Sequence, residues 1–232
     1  MIDLVELDWD SKFFGFSVAK ITYNSKNTDI YELPLKYKLF YLFCDCYLKL
    51  DHIKRIFCKT DVILVDEKIT FNKRLEKQLN FKIEKNIQLQ NENDSKLYEL
   101  AFQSGIYSRF LVDENIGKNK FKKMYKLWID NSLKNENIDV LVYKSKIDIE
   151  GFLTFDYTSD IAKIGLIAVS EKSRGNKIGT KLIEHVEYLS FKKEIKDLQV
   201  TTQRKNVGAC KFYEKFGFKE VNKKYIYHIW QQ

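Results

Sequence analysis

Ser170-Glu171-Lys172-Ser173-Arg174-Gly175-Asn176-Lys177-Ile178-Gly179 and Asn206-Val207-Gly208-Ala209-Cys210-Lys211-Phe212-Tyr213-Glu214-Lys215-Phe216-Gly217-Phe218 are the two segments on which the fold turns. The first follows an apolar run, Ala162 to Val169, that reads as a strand, and it leads into a helix. Ile178, Leu182, Ile183, Val186 and Leu189 recur there at helical spacing, which leaves Lys181, Glu184 and Glu187 for solvent. Leu198 to Thr202 reads as the next strand, and Asn206 to Phe216 as a short helix stopped by Gly217.

A helix entered through Ser, Gly and Asn is first of all a turn. Its opening amides nonetheless lack intrahelical partners and the peptide dipoles favour an anion there, so the same geometry can hold a phosphate. Arg174 adds a fixed positive charge at that place. In the second segment Asn206 and Tyr213 stand about two helical turns apart, with Ala209 between them on one stripe. Taken singly, Asn206 is an N-cap, Tyr213 a core aromatic and Gly217 a helix stop.

Taken together, Arg174-x-x-Lys177-x-Gly179 ahead of a helix and Asn206-x-x-Ala209-x-x-Phe212-Tyr213-Glu214-Lys215-x-Gly217-Phe218 resemble the two acyl-CoA motifs of the GNAT superfamily of N-acetyltransferases. Order, spacing and the intervening strand all match. The resemblance implies an α/β (α+β) fold whose central mixed, mostly antiparallel sheet is flanked by helices, with acetyl-CoA as donor and no metal. It implies that Arg174, Gly175, Asn176, Lys177, Ile178 and Gly179 wrap the pyrophosphate of coenzyme A, and that backbone groups of Ile167, Ala168 and Val169 hold the pantetheine arm and polarise the thioester. Asn206 and Ala209 then border the cofactor, and Tyr213 protonates the departing thiolate. The chain departs from the motif at Lys177, where a glycine is usual; its N–H is retained, but its Cβ limits how close a phosphate comes.

Among the 232 residues, 44% are hydrophobic and 15% aromatic, ample material for a core, and one Pro with nine Gly argues against linker-rich or disordered stretches. Met1-Ile2-Asp3-Leu4 shows no secretory signal, and the apolar run Leu39 to Leu48, broken by Asp45, is too short for a bilayer, so no membrane insertion is expected. Cys44, Cys46, Cys58 and Cys210 have no C-x-x-C pairing, which argues against zinc and for reduced thiols of a cytoplasmic protein. The formal charge of +8 invites a nucleic-acid partner, yet Lys is interleaved with Asp and Glu without a like-charge block. No nucleic acid is therefore expected, although a polyanionic ligand is favoured.

Residues 1–92 read as a smaller α/β domain contributing to the acceptor site, and residues 93–232 as the acetyltransferase domain. In the first, Val5, Leu7 and Trp9 alternate, Val18 and Ile21 mark a strand, Lys38 to Cys44, Val62 to Val65 and Phe81 to Leu89 suggest more, and Leu48 to Phe57 is helix or turn. In the second, Asp94 caps a helix to Phe102, Lys118 to Leu133 forms another, and Ile138 to Tyr143, Gly151 to Tyr157 and Ala162 to Val169 form an antiparallel meander. Tyr225 to Trp230 closes the sheet, with His228 as a packed edge residue; His185 is a solvated helix residue.

Trp9-Asp10-Ser11-Lys12-Phe13-Phe14-Gly15 is aromatic enough to be core or a pocket wall. With Ser108-Arg109-Phe110 and the helix carrying Tyr125 to Leu133, it resembles bacterial acyltransferases that act on nucleotide-linked amino sugars, of the dTDP-fucosamine N-acetyltransferase type. That likeness implies an acceptor site of Trp9, Phe13, Phe14, Ser108 and Arg109. It also implies direct attack, in a ternary complex, by the amine of a nucleotide-linked amino-dideoxy sugar destined for surface polysaccharide. Asp156 and Tyr157 are candidates for a base acting through water. Acetylation of a peptide or ribosomal-protein N-terminus is the alternative reading, a non-catalytic binding module is another, and a homodimer is left open.

Overall fold

The chain begins β1 (Asp3–Glu6), α1 (Asp8–Phe14), β2 (Val18–Tyr23), β3 (Leu39–Cys44), α2 (Leu50–Phe57), β4 (Val62–Arg74), β5 (Ile87–Leu89), α3 (Ser95–Ser104), α4 (Arg109–Val112) and α5 (Lys118–Lys134). It continues β6 (Ile138–Lys144), β7 (Ile149–Asp156), β8 (Ile161–Val169), α6 (Ile178–Lys192), β9 (Asp197–Gln203), α7 (Val207–Lys215) and β10 (Lys219–Trp230). The structure, a computed structural model, describes residues 3–23, 30–58, 61–75, 84–146, 148–157 and 160–231. Met1 and Ile2, and residues 81–83 of the strand expected over Phe81 to Leu89, lie outside the described residues.

The ten strands among the described residues form one sheet in the order β1-β2-β3-β10-β4-β9-β8-β7-β6-β5. Only β2–β3 and β8–β9 are parallel, so the expected mixed, mostly antiparallel sheet is what forms. Strand alternation sends Tyr41, Val142 and Phe152 to one face, under α1, α3, α4 and α5, and Phe71, Leu153 and Phe155 to the other, under α6 and α7. A third cluster around Phe40, Leu42, Ile53 and Tyr227 seats α2.

The sheet does not break at residue 92. β3 and β4 flank β10 on its two sides, and β4 also pairs with β9 from Lys68↔Gln203 to Arg74↔Asp197. Strands β1 to β5 thus belong to the same hydrogen-bonded sheet as β6 to β10.

Four local expectations need correction. Trp9 lies on α1 rather than on a strand, because the alternation Val5, Leu7, Trp9 ends where Asp8 and Asp10 supply acidic residues to a first helical turn. Tyr225 to Trp230 is interior to the sheet, so His228 is fully buried and not at an edge. Glu187 is buried instead of solvated, because β4 runs beneath α6 and brings Lys73 Nζ to 2.5 Å from its carboxylate. His185 is half-buried, and burial lowers its pKa.

Candidate active site

β8 and β9 pair in parallel only from Ile161↔Asp197 to Ile164↔Val200. The cause of their parting is local. Against β7, Phe155 pairs with Ile164 but Leu153 pairs with Ile167, so β8 carries one extra residue there. Thr154 fills the bulge, its Oγ1 accepting from the Leu166 N–H at 2.8 Å, and a Cβ on residue 165 would lie 2.7 Å from that oxygen, which is why Gly165 is required. A bulge bends its strand. The two edges splay into a cleft of about 500 Å³, lined by Leu166, Ile167, Ala168 and Val169 on one side and by Val200, Thr201, Thr202 and Gln203 on the other. Peptide groups facing such a gap have no strand partner and are free for an amide-bearing ligand.

From Val169 the chain passes through a short 3₁₀ turn, Glu171–Ser173, to Arg174, and Gly175 and Lys177 then take positive φ of 85° and 59°. Among the described residues no side chain caps α6, which leaves its first amides open. The glycine usual at position 177 in the motif now has a physical reason: the residue is left-handed, and a non-glycine there costs roughly 1–2 kcal/mol. Arg174 stands exposed on the cleft rim, 3.8 Å from the Glu171 carboxylate. Gly179 also lines the cleft, where a Cβ would meet the Phe212 ring at 3.4 Å.

The far wall is α7. Asn206 is its N-cap, Oδ1 accepting from the Ala209 N–H at 3.2 Å, and Asn206, Ala209, Phe212 and Tyr213 all line the cleft. The helix ends as its sequence requires: Gly217, at φ 81°, donates to Glu214 O, and the Phe218 N–H reaches back to Tyr213 O at 3.0 Å. Tyr213 is 3% exposed, its ring held by Phe71, Phe212 and Phe218. Burial raises its pKa, so the phenol keeps its proton.

The acetyltransferase (GNAT) family profile matches residues 95–218, more than half of the chain. This protein belongs to the GNAT acetyltransferase family. A relative from Bacillus subtilis (strain 168), the spore coat polysaccharide biosynthesis protein SpsD, is 26% identical over 132 residues, which cover 57% of this chain and 46% of that protein. The match therefore spans less than half of the relative's length. Solved structures of like fold include a functionally unknown conserved protein from Staphylococcus epidermidis ATCC 12228 (TM-score 0.59, 14% identity, 84% of this chain and 74% of the other). Another is a GCN5-related N-acetyltransferase from Sphaerobacter thermophilus (TM-score 0.52, 9% identity, 98% and 76%).

The GNAT cleft is roofed on the opposite face by Gln103, Ser104, Tyr107 and Tyr125, from α3, α5 and the segment between α3 and α4. Arg109, half-buried as a residue, is in the first turn of α4 rather than on a loop, with Ser108 as the N-cap, and its guanidinium lies 4.6 Å from the Tyr41 ring centroid and 4.5 Å from that of Phe110. Trp9, Phe13 and Phe14 do not line the cleft. Trp9, 43% exposed, stacks on Phe13 at 5.3 Å, and the chain of rings runs inward through the buried Phe14 and on by Phe16 to Trp230. The same motif does send one residue inward: Asp10 accepts from the Tyr41 hydroxyl at 3.1 Å.

Asp156 lies in a second groove of about 540 Å³, with Trp128, Asn131, Lys163 and Gln199, that shares Gly165, Leu166, Val200 and Thr201 with the cleft. Tyr157 is turned elsewhere, its hydroxyl donating to Glu136 O at 3.0 Å. His228 Nδ1 lies 2.5 Å from Asp113 Oδ2, which also accepts from Trp230 Nε1 at 2.9 Å. Burial pulls the His228 pKa down to about 4, so the imidazole is neutral and structural. Asp66 of β4, which the sequence reading passed over, is 8% exposed on the face that α4 and α5 cover.

Proposed function

We propose that this protein transfers the acetyl group of acetyl-CoA to the amine of a nucleotide-linked amino sugar. The observation that carries the reading is the joining, in one cleft, of the uncapped end of α6, the unpaired edges of β8 and β9, and the buried hydroxyl-bearing ring of Tyr213. The sugar acceptor is supported by the likeness to a polysaccharide biosynthesis protein and by the Ser108-Arg109-Phe110 segment.

The roles divide by position. Amides at Lys177, Ile178 and Gly179, with Arg174 at the rim, suit the pyrophosphate. Edge peptide groups of Ile167, Ala168 and Val169 suit the amides of the pantetheine arm and orient the carbonyl. Acetyl-CoA, when bound, supplies an activated thioester. The acceptor nitrogen bonds to the acetyl carbon as the carbon–sulfur bond breaks, the nitrogen gives up its proton to water, Tyr213 gives its phenolic proton to the sulfur, and the phenolate then regains a proton from water.

Incubation with acetyl-CoA and a panel of dTDP- and UDP-amino sugars, free amino sugars and peptides, read by mass spectrometry, tests this. Gain of one acetyl group by a nucleotide-linked amino sugar alone is the expected result; acetylation confined to peptides overturns it.

A further inference from the structure

On the face that carries α4 and α5, strand register lays out a row of charged side chains leading away from the acyl cleft. Gln203 of β9, at the cleft, pairs with Lys68 of β4, and Lys68 pairs with Lys224 of β10. Alongside, Asp66 pairs with Ile226 and Ile226 with Phe43; one step further, His228 pairs with Tyr41 and Tyr41 with Lys20. Three strand spacings separate β9 from β3, on the order of 14 Å.

The charges in this row are poorly compensated. Lys68 is half-buried and stands in the repulsive field of Arg109, Lys20 and Lys224, with Asp66 as its attractive neighbour. Neither Lys68 nor Lys20 makes an ion pair with a described residue, while Lys224 is tied to Asp45 at 2.7 Å. Asp66 Oδ1, Arg109 Nε and Gln103 Oε1 are each fully buried without a hydrogen-bond partner among the described residues. Buried polar atoms are rarely left unsatisfied: the Arg109 Nε–H, with the nearby cations Lys68 and Lys20, suits an anion, while Asp66 Oδ1 and Gln103 Oε1 can accept from hydroxyls.

We propose that Lys68, with Lys20 and Arg109, binds the diphosphate of the acceptor, and that Asp66 Oδ1 accepts a hydrogen bond from its sugar. This inference rests on the acceptor reading given above and deepens it. Lys68 lies one strand spacing, about 4.8 Å, from Gln203, a distance comparable to the width of a hexose ring. An amine in the cleft thus places an anomeric phosphate at Lys68. The second groove does not fit this ligand, since Lys163, the one cation in its lining, is the cross-strand partner of Asp156.

The test is calorimetry on the full chain saturated with coenzyme A, so that the donor's pyrophosphate site is filled, with thymidine diphosphate as probe. Wild type is expected to bind it; Lys68→Gln should bind at least about tenfold more weakly and Lys68→Arg within about threefold, with coenzyme A affinity unchanged in both. Circular dichroism confirms that the variants are folded. No binding by the CoA-saturated wild type, or equal binding by Lys68→Gln, overturns the site. Acetylation of a nucleotide-linked amino sugar without diphosphate binding at Lys68 sinks this inference but leaves the transferase reading intact. Diphosphate binding through Lys68 with no sugar acetylated does the reverse.

Discussion

Replacing Tyr213 with Phe removes one hydroxyl from the cleft wall and leaves the ring among Phe71, Phe212 and Phe218, whose centroids lie 5.8, 5.5 and 5.7 Å away. The hydroxyl makes no hydrogen bond to a described residue, so the folded state loses little: less than about 0.5 kcal/mol, or roughly 1–2 °C in Tm. The chemical cost is of another order. A positioned general acid contributes about 10²- to 10⁴-fold, and a thiolate is a fair leaving group unaided, so kcat is expected to fall by about one to three orders of magnitude, or about 1.4–4 kcal/mol. Single-turnover release of the thiol, followed with a thiol-reactive dye, isolates the chemical step, and scanning calorimetry gives Tm. Near-native turnover in the Phe variant when chemistry limits the rate would refute the proton-donor role. A fall in Tm larger than the fall in rate would make Tyr213 a packing residue.

Arg174→Glu sets a negative charge at the open end of α6 and should raise the acetyl-CoA Kd by about tenfold or more in calorimetry; an unchanged Kd removes the turn from the donor site. Lys177→Gly relieves a left-handed lysine and should raise stability by about 0.5–1 kcal/mol in urea melts, net of the entropy of glycine. Burial holds the Asp66 carboxyl up to about 7, against about 3.9 when unfolded, so between those values the folded chain keeps a proton that the unfolded chain has released. Stability from this group falls as pH rises through that window, and Asp66→Asn should gain on the order of 2–4 kcal/mol relative to wild type between pH 4 and 8, read from paired denaturant melts. Deleting residues 1–90 removes β3 and β4, which flank β10, and should leave a chain without cooperative unfolding by circular dichroism; a folded, active remainder would contradict the shared sheet.

What could be read in the sequence was local. The cap at Asn206, the stop at Gly217, the stripe of α6 and the turn before it depend on residues within a few positions of one another, and the structure forms each of them. Arg109 drew notice as an isolated cation, though its seat against Tyr41 could not be read from its neighbours. What stayed hidden depends on partners far along the chain. β4 was expected only over Val62 to Val65, because Asp66-Glu67-Lys68 interrupts its apolar alternation; it extends to Arg74 because β9 and β10 arrive on both sides. Glu187 sits on the polar stripe of its helix, and only Lys73, more than a hundred residues away, explains its burial.

Synthesis proceeds from one end of the chain to the other, and the sheet cannot be assembled in that order. β4 is made early, yet both of its neighbours, β9 and β10, are made last: Asn72 pairs with Lys219 and Phe71 with Val200. While the intervening residues emerge from the ribosome, β4 waits with two bare edges and with Ile69 and Phe71, both wholly buried in the finished protein, uncovered. Such long closures slow folding and expose the nascent strand to the wrong partner. The centre of this sheet is thus its last part to close, and a ribosome stalled before residue 197 holds a chain whose longest strand has nothing to pair with.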